Sequence, residues 1–168
     1  MKLVKLLYLA ARYHLARHGT PVLGDRYYHL PWGPVPSRSL DLLEATADVA
    51  ARDPEAPTDE ICERLLERVD VVNPDSKYAE YRSRRSGHQP DQLSRSEAEA
   101  LDAVAKRFGP MTARQLSDLT HGHAAFTKTK PQDEIDYGFF FVDEPDVRPE
   151  AMKYFETSQQ DHDLLSRL

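Results

Sequence analysis

Lys2-Leu3-Val4-Lys5-Leu6-Leu7-Tyr8-Leu9-Ala10-Ala11-Arg12-Tyr13-His14-Leu15-Ala16-Arg17-His18-Gly19 is the stretch that decides the fold class. Leu3, Leu6, Leu7, Ala10 and Tyr13 recur at three- and four-residue spacing, which winds them onto one wide apolar stripe of a helix. Lys2, Lys5 and Arg12 fall elsewhere on the helix. Gly19 is placed to cap the helix, because glycine enters the left-handed conformation that a helix end favours, and Pro21 stops continuation. A helix of this length calls for partners that cover its stripe, so the rest of the chain is read for them.

Downstream, Tyr27-Tyr28-His29-Leu30 alternates aromatic and polar residues and predicts a short strand around 26–30. Pro31, Gly33, Pro34 and Pro36 then predict an irregular turn, since proline removes a backbone donor and restricts the residue before it. Ser37 or Ser39 opens a second helix with Leu40, Leu43 and Ala47 on its core face, helped by Leu42. The run 53–57 breaks it, and Thr58, with Asp59 and Glu60 behind it, starts a third whose stripe is Ile61, Leu65 and Val69. Residues 77–86 suggest a second strand, aromatic on one face and basic on the other, and Ser86 to Leu93 reads as a linker. Ser94 with Glu97, or Ser96 with Glu99, makes a capping box for a helix through Leu101, Val104 and Phe108. Thr112 with Gln115 makes another, for a helix through Leu116 and Leu119. Phe139-Phe140-Phe141-Val142 is an edge strand or a segment packed on the core, and Pro149 starts a last helix with Met152 and Phe155. The expected architecture is mainly α: a compact helical domain with a small β-hairpin or short antiparallel strands. It spans 1–156 as a single domain, and 157–168 is a polar tail that frays.

Composition narrows the classes of function. With 168 residues, 40% hydrophobic, the chain can bury a core without metal or disulfide. No run approaches the length of a membrane span, and Lys5 interrupts the apolar start that a secretory signal would need. The lone Cys62 excludes an internal disulfide and fits a reducing compartment, so the expected location is cytoplasmic. Net charge is 22 − 28 = −6, which opposes general coating of nucleic acid. The charge is polarised: residues 1–38 carry +5, 41–68 carry −6 and 77–85 carry +3. Charges facing water explain this most simply; a charged face for a partner is the alternative.

Chemistry is scarce. His14 and His18 share a helix face and His121 and His123 lie close, but one cysteine and no matching carboxylate-histidine spacing give no zinc signature, and no metal or other cofactor is expected. Gly-x-Ser-x-Gly and Gly-Lys-Ser/Thr are absent, Cys62 sits inside an amphipathic pattern, and Asp59-Glu60 and Asp133-Glu134 read as caps and solvated surface. No catalytic residue is assigned. The helix-turn-helix outline over 95–120, turning at Phe108-Gly109-Pro110-Met111, raises a DNA-binding regulator as the alternative function. Its outward residues Arg114, Gln115 and Asp118, beside Glu97, Glu99 and Asp102, make a poor groove reader.

Lys5-Leu6-Leu7-Tyr8-Leu9-Ala10, Gly19-Thr20-Pro21-Val22-Leu23-Gly24-Asp25-Arg26-Tyr27, Gly33-Pro34-Val35-Pro36-Ser37, Leu93-Ser94 with Glu97, Phe108-Gly109 and Leu119-Thr120-His121 occur in an order that resembles the Panacea domain of SocA-like antitoxins. The resemblance covers about residues 3–126. It implies a mostly helical fold with a small β element, no catalytic activity, and neutralisation of a toxin protein by direct binding. That toxin is usually encoded next door. In the SocA case the antitoxin also delivers its toxin to the ClpXP protease. Two departures stand out: relatives often carry a further helix before the Lys-Leu-Leu-Tyr run, and Phe126 stands where they carry a tryptophan.

A binding protein needs an anchor, and Trp32 is the only tryptophan, beside Tyr27 and Tyr28. Two readings of Trp32 compete: an exposed anchor, or a ring packed over the first helix, the latter favoured because large rings find the core. Arg26, Tyr28, Trp32, Arg38, Arg82 and Arg84 are the candidate partner contacts. The arginines have the alternative of pairing with the acidic 41–68 helices. The Gly-Pro-Val turn points to a fold role for Gly33 and Pro34.

Overall fold

The computed structural model describes residues 1–52, 59–75, 79–84 and 92–165, with side chains as far as Gln160. In chain order the elements are α1 (Lys2–His18), β1 (Tyr27–Leu30), β2 (Gly33–Pro36), α2 (Ser37–Ala51), α3 (Glu60–Leu66), β3 (Val69–Val72), β4 (Glu80–Ser83), α4 (Arg95–Phe108), α5 (Ala113–His121), α6 (Ala124–Thr127), a 3-10 turn (Tyr137–Phe140) and α7 (Pro149–Leu165). The protein is mainly α with two small antiparallel hairpins. Two compact units result: Met1–Pro36 with Leu93–Leu168, and Ser37–Gln92. No helix among the described residues is long and apolar enough to cross a membrane.

In the first unit α1 is the axis. Helices α4, α5 and α7, strand β2 and the 3-10 turn all pack against it. The expected single stripe is therefore wrong for this helix: Val4, Tyr8, Leu9, Ala11 and Leu15 are buried, while Leu3 is 41% exposed. Lys5 and Arg12, which lie off that stripe, are 1% and 2% exposed. Gly19 ends α1 as expected, at φ 75 with its N–H bonded to Leu15. Strand β1 forms as read, but the proline-rich segment after it is a strand and not an irregular turn. β2 pairs with β1 from Leu30↔Gly33 to Tyr27↔Pro36. It tolerates prolines because Pro34 and Pro36 fall at alternate positions, where the missing N–H faces away from β1.

Both caps of the second half form. Ser94 and Glu97 make the capping box of α4, which settles its register, and Thr112 and Gln115 make that of α5. Residues 139–142 are no strand: Tyr137–Phe140 is a 3-10 turn opened by Asp136, which places Phe140 in the core with Tyr8 and Tyr27. Helix α7 runs from Pro149 to Leu165.

The second unit is small. α2 buries Thr46 and Ala47, and α3 begins at Asp59, whose carboxylate accepts the N–H of Ile61. Cys62 is buried, whereas Ile61 is exposed and Val69 belongs to β3, so the expected three-residue helical stripe does not form. β3 pairs with β4 from Val69↔Ser83 to Val72↔Glu80, and the Tyr81 hydroxyl donates to the Leu43 carbonyl at 2.5 Å. The expected break at 53–57, Thr58, the 77–78 and 85–86 ends of the strand read over 77–86, and the linker residues 86–91 lie outside the described residues.

Candidate functional site

The β1–β2 hairpin carries three of the six candidate contacts. Its two-residue tip, Pro31-Trp32, is closed by Gly33 at φ +103, a conformation open to glycine and costly to other residues. Trp32 is 62% exposed, so the favoured reading of a ring packed into the core over α1 does not hold. Its backbone is held all the same, since Ser117 on α5 donates its hydroxyl to the Trp32 carbonyl at 2.9 Å.

Beneath the tip lies a layer of polar groups. The Lys5 ammonium donates to the Pro34 carbonyl at 3.1 Å, and burial pulls its pKa down to about 7. A side chain on Gly33 would meet Lys5 Nζ at 2.7 Å and Thr120 Oγ1 at 2.9 Å, so the hairpin sits directly on α1 and α5. His121, Phe126 and His29 stack in sequence, with ring centroids 4.4 and 3.7 Å apart. Nδ1 of His29 donates to the Thr129 carbonyl at 2.8 Å. Phe126, at the position where a tryptophan was expected from the resemblance, is thus the middle ring of the brace.

Further along α1, the Tyr8 hydroxyl and Nδ1 of His123 share a hydrogen bond at 3.2 Å, and burial with the Arg12 charge lowers the His123 pKa to about 4. Arg12 bonds Asp143 at 3.1 Å and reaches Glu144 at 3.3 Å; Asp143 also accepts the Ala124 N–H. Lys5, Tyr8, Arg12 and Leu15 follow one another at helical spacing, so this polar-headed row was readable as a face. The expectation of a single apolar stripe hid it.

On the hairpin's flank Arg26 pairs with Glu134 through Nε and Nη2, and its guanidinium lies 5.7 Å from the Tyr28 ring centroid. The Arg26 bond holds the Glu134 carboxyl below its usual range, and Glu134 in turn raises Arg26. Arg26 thus directly precedes β1 and is exposed, Tyr28 lies in β1 and is half-buried, and Trp32 is exposed at the tip. Arg38, Arg82 and Arg84 belong to the second unit. There, among the described residues, Arg82 pairs with Glu80 and Arg84 with Asp70. Glu134 and Ser117 were missed; each lies more than eighty residues from its hairpin partner, and no local pattern marks them.

Among the histidines, His14 bonds the Thr20 carbonyl and Ser96 and stacks on His18. No group of three or more metal-binding side chains gathers among the described residues. In the α4–α5 pair, Arg114 and Asp118 are exposed and the Gln115 side chain is spent on its capping box.

A mainly α domain wrapped around one helix, with a braced hairpin presenting an aromatic tip, is the class that fold and site define. The chain belongs to the antitoxin SocA-like, Panacea-domain family, whose model matches residues 3–126. It matches no curated protein and no solved structure. Family membership supports an antitoxin role in general terms, with a toxin as partner and a non-enzymatic part to play. The matched segments meet in space: Lys5 from the first, Gly33 and Pro34 from the middle, and Thr120 and His121 from the last close around the foot of the hairpin.

Proposed function

We propose that this protein neutralises a cognate toxin by direct contact through the β1–β2 hairpin, with Trp32 as the anchor and Arg26 and Tyr28 beside it. The observation that carries this reading is the combination of a 62% exposed tryptophan with a backbone held by Ser117 and by Gly33 packed against Lys5. An anchor held before binding loses little conformational freedom on association, and aromatic and arginine side chains dominate interface energetics. The mechanism in this reading is steric blocking or sequestration of the toxin's active surface. Delivery to ClpXP would be a further step, visible as a toxin half-life that shortens in the presence of this chain and lengthens when ClpX is depleted.

Co-expression with the product of the adjacent gene, scored by growth and co-purification, tests the reading. The unaltered chain should rescue growth and capture the toxin. Trp32→Ala should weaken capture by about 30-fold, the effect of a hot-spot residue worth about 2 kcal/mol, while leaving the chain folded. A neighbour that is harmless and does not co-purify overturns the toxin pairing. Undiminished capture by Trp32→Ala overturns the anchor.

A further inference from the structure

Strand β1 is bonded on both sides. Opposite β2, the His29 N–H donates to the Asp133 carbonyl at 3.0 Å, and the His29 carbonyl accepts from Gln132 at 2.8 Å. The Ile135 N–H donates to the Tyr27 carbonyl at 2.7 Å, with Tyr28 facing Glu134 across the ladder. In that antiparallel pattern the N–H and C=O of Glu134 point away from β1. Neither has a partner among the described residues. The two edges of this small sheet are therefore unlike. The β2 edge is closed, because Pro34 and Pro36 have no N–H and the Pro34 carbonyl is taken by Lys5. The Glu134 edge is open.

That open edge borders a groove. Residues 134–137 form one wall and α7 the other, enclosing about 630 Å³, with Tyr137 and Phe155 as apolar surface and Gln159 offering an amide. A second hollow of about 350 Å³ shares Glu134, Tyr137, Phe155 and Gln159 and reaches back to Gly19 and Arg26. The lining of the larger hollow includes Glu134, Asp136 and Glu156 and no cation. Glu134 is bonded to Arg26, and Asp136 accepts the Gly138 N–H, but neither interaction brings a positive group into that lining. Both walls lie outside the 3–126 segment that the family model matches.

We propose that this groove takes an extended, basic segment of the toxin, added as a strand on the Glu134 edge with its Lys or Arg side chains over Glu156 and Asp136. The groove's chemistry stands by itself; assigning the segment to the toxin rests on the function proposed above. An added strand gains backbone hydrogen bonds from any sequence, and the side chains flanking the edge then select among sequences. An acidic lining with aromatic surface selects cations on an apolar stem and repels acids.

The test titrates the isotope-labelled full chain with the capped peptide Lys-Val-Arg-Val-Lys-Val and follows backbone amide shifts by NMR. Shifts concentrated at Glu134, Asp136 and Gln159 are expected. Binding should weaken at least tenfold with Glu156→Lys, and should be lost when the peptide's backbone amides are methylated. Absence of shifts, equal binding of Glu-Val-Glu-Val-Glu-Val, or full binding of the methylated peptide each overturns the strand-addition site. The toxin arm is separate: capture by the Glu156→Lys chain should fall. If the peptide binds while that capture is unchanged, the segment does not come from the toxin and that assignment is overturned. Failure of the unaltered chain to capture the neighbour's product overturns the toxin pairing and leaves the peptide result standing.

Discussion

Lys5 is a buried base and His123 a half-buried one, held by neutral partners, the Pro34 carbonyl and the Tyr8 hydroxyl, and both have a pKa below that of the unfolded chain. A base with a depressed native pKa binds fewer protons folded than unfolded, so stability rises with pH between the two values. For His123 that window runs from about 4 to 6.5, and for Lys5 from about 7 to 10.5. Toward pH 10 the buried phenols of Tyr8, Tyr27 and Tyr137 act in the opposite sense. Their native pKa values are raised by burial, so ionisation favours the unfolded chain above 10.0. Urea unfolding should therefore show stability climbing from pH 4 to 6.5 and again from 7 to about 10, then falling. Lys5→Met should flatten the second climb and leave the first. A second climb that survives in Lys5→Met would place its origin in another group. The spacing of Lys5, Tyr8 and Arg12 was readable in the sequence, but their burial was not, because Lys5 falls off the apparent stripe. Burial of a charge depends on how many elements surround the helix, and a periodicity count assumes one.

At the scale of elements, signals that act locally were readable. Ser94 with Glu97 and Thr112 with Gln115 cap their helices because capping needs only residues three apart, and Gly19 ends α1 by the same local logic. Elements that depend on a distant partner were misread. Gly33–Pro36 has the composition of a turn and becomes a strand because β1 supplies the hydrogen bonds and α1 and α5 supply the floor. Val69 continues a helical spacing on paper but joins β4. The hairpin's dependence on its floor has a measurable consequence. Gly33→Ala introduces a methyl group 2.7 Å from Lys5 Nζ at φ +103, whereas Gly24→Ala meets nothing within 4 Å. The first substitution should cost about 1–3 kcal/mol in denaturant unfolding and the second stay within about 0.5 kcal/mol. Equal effects would show that the hairpin foot yields without cost. The candidate site divides in the same way: Arg26, Tyr28 and Trp32 could be proposed together because they share one short stretch. The groove beside Glu134 combines residues 134–137 with 155–160, which no spacing rule connects.

Across the whole molecule, burial is unevenly shared between the two units. The core that joins Tyr8, Leu15, Tyr27, Val104, Leu116 and Phe140 lies entirely in the first unit. In the second, the described residues that are fully withdrawn from solvent are Thr46, Ala47 and Cys62. Local opening costs less where fewer apolar contacts must be broken, so the two units should differ in protection from hydrogen exchange. Amides of α1 and α4 should exchange slowest, close to the rate set by global unfolding. Those of α2, α3 and the β3–β4 pair should exchange faster, even though they are hydrogen-bonded in regular elements. Amide exchange followed by mass spectrometry at several pH values reads this directly. Uniform protection across both units would mean that the second unit opens only with the first. Faster exchange there, together with slow exchange at Tyr28 and Val35 in the hairpin, would tie the rigidity of the tryptophan tip to the core on which it is built.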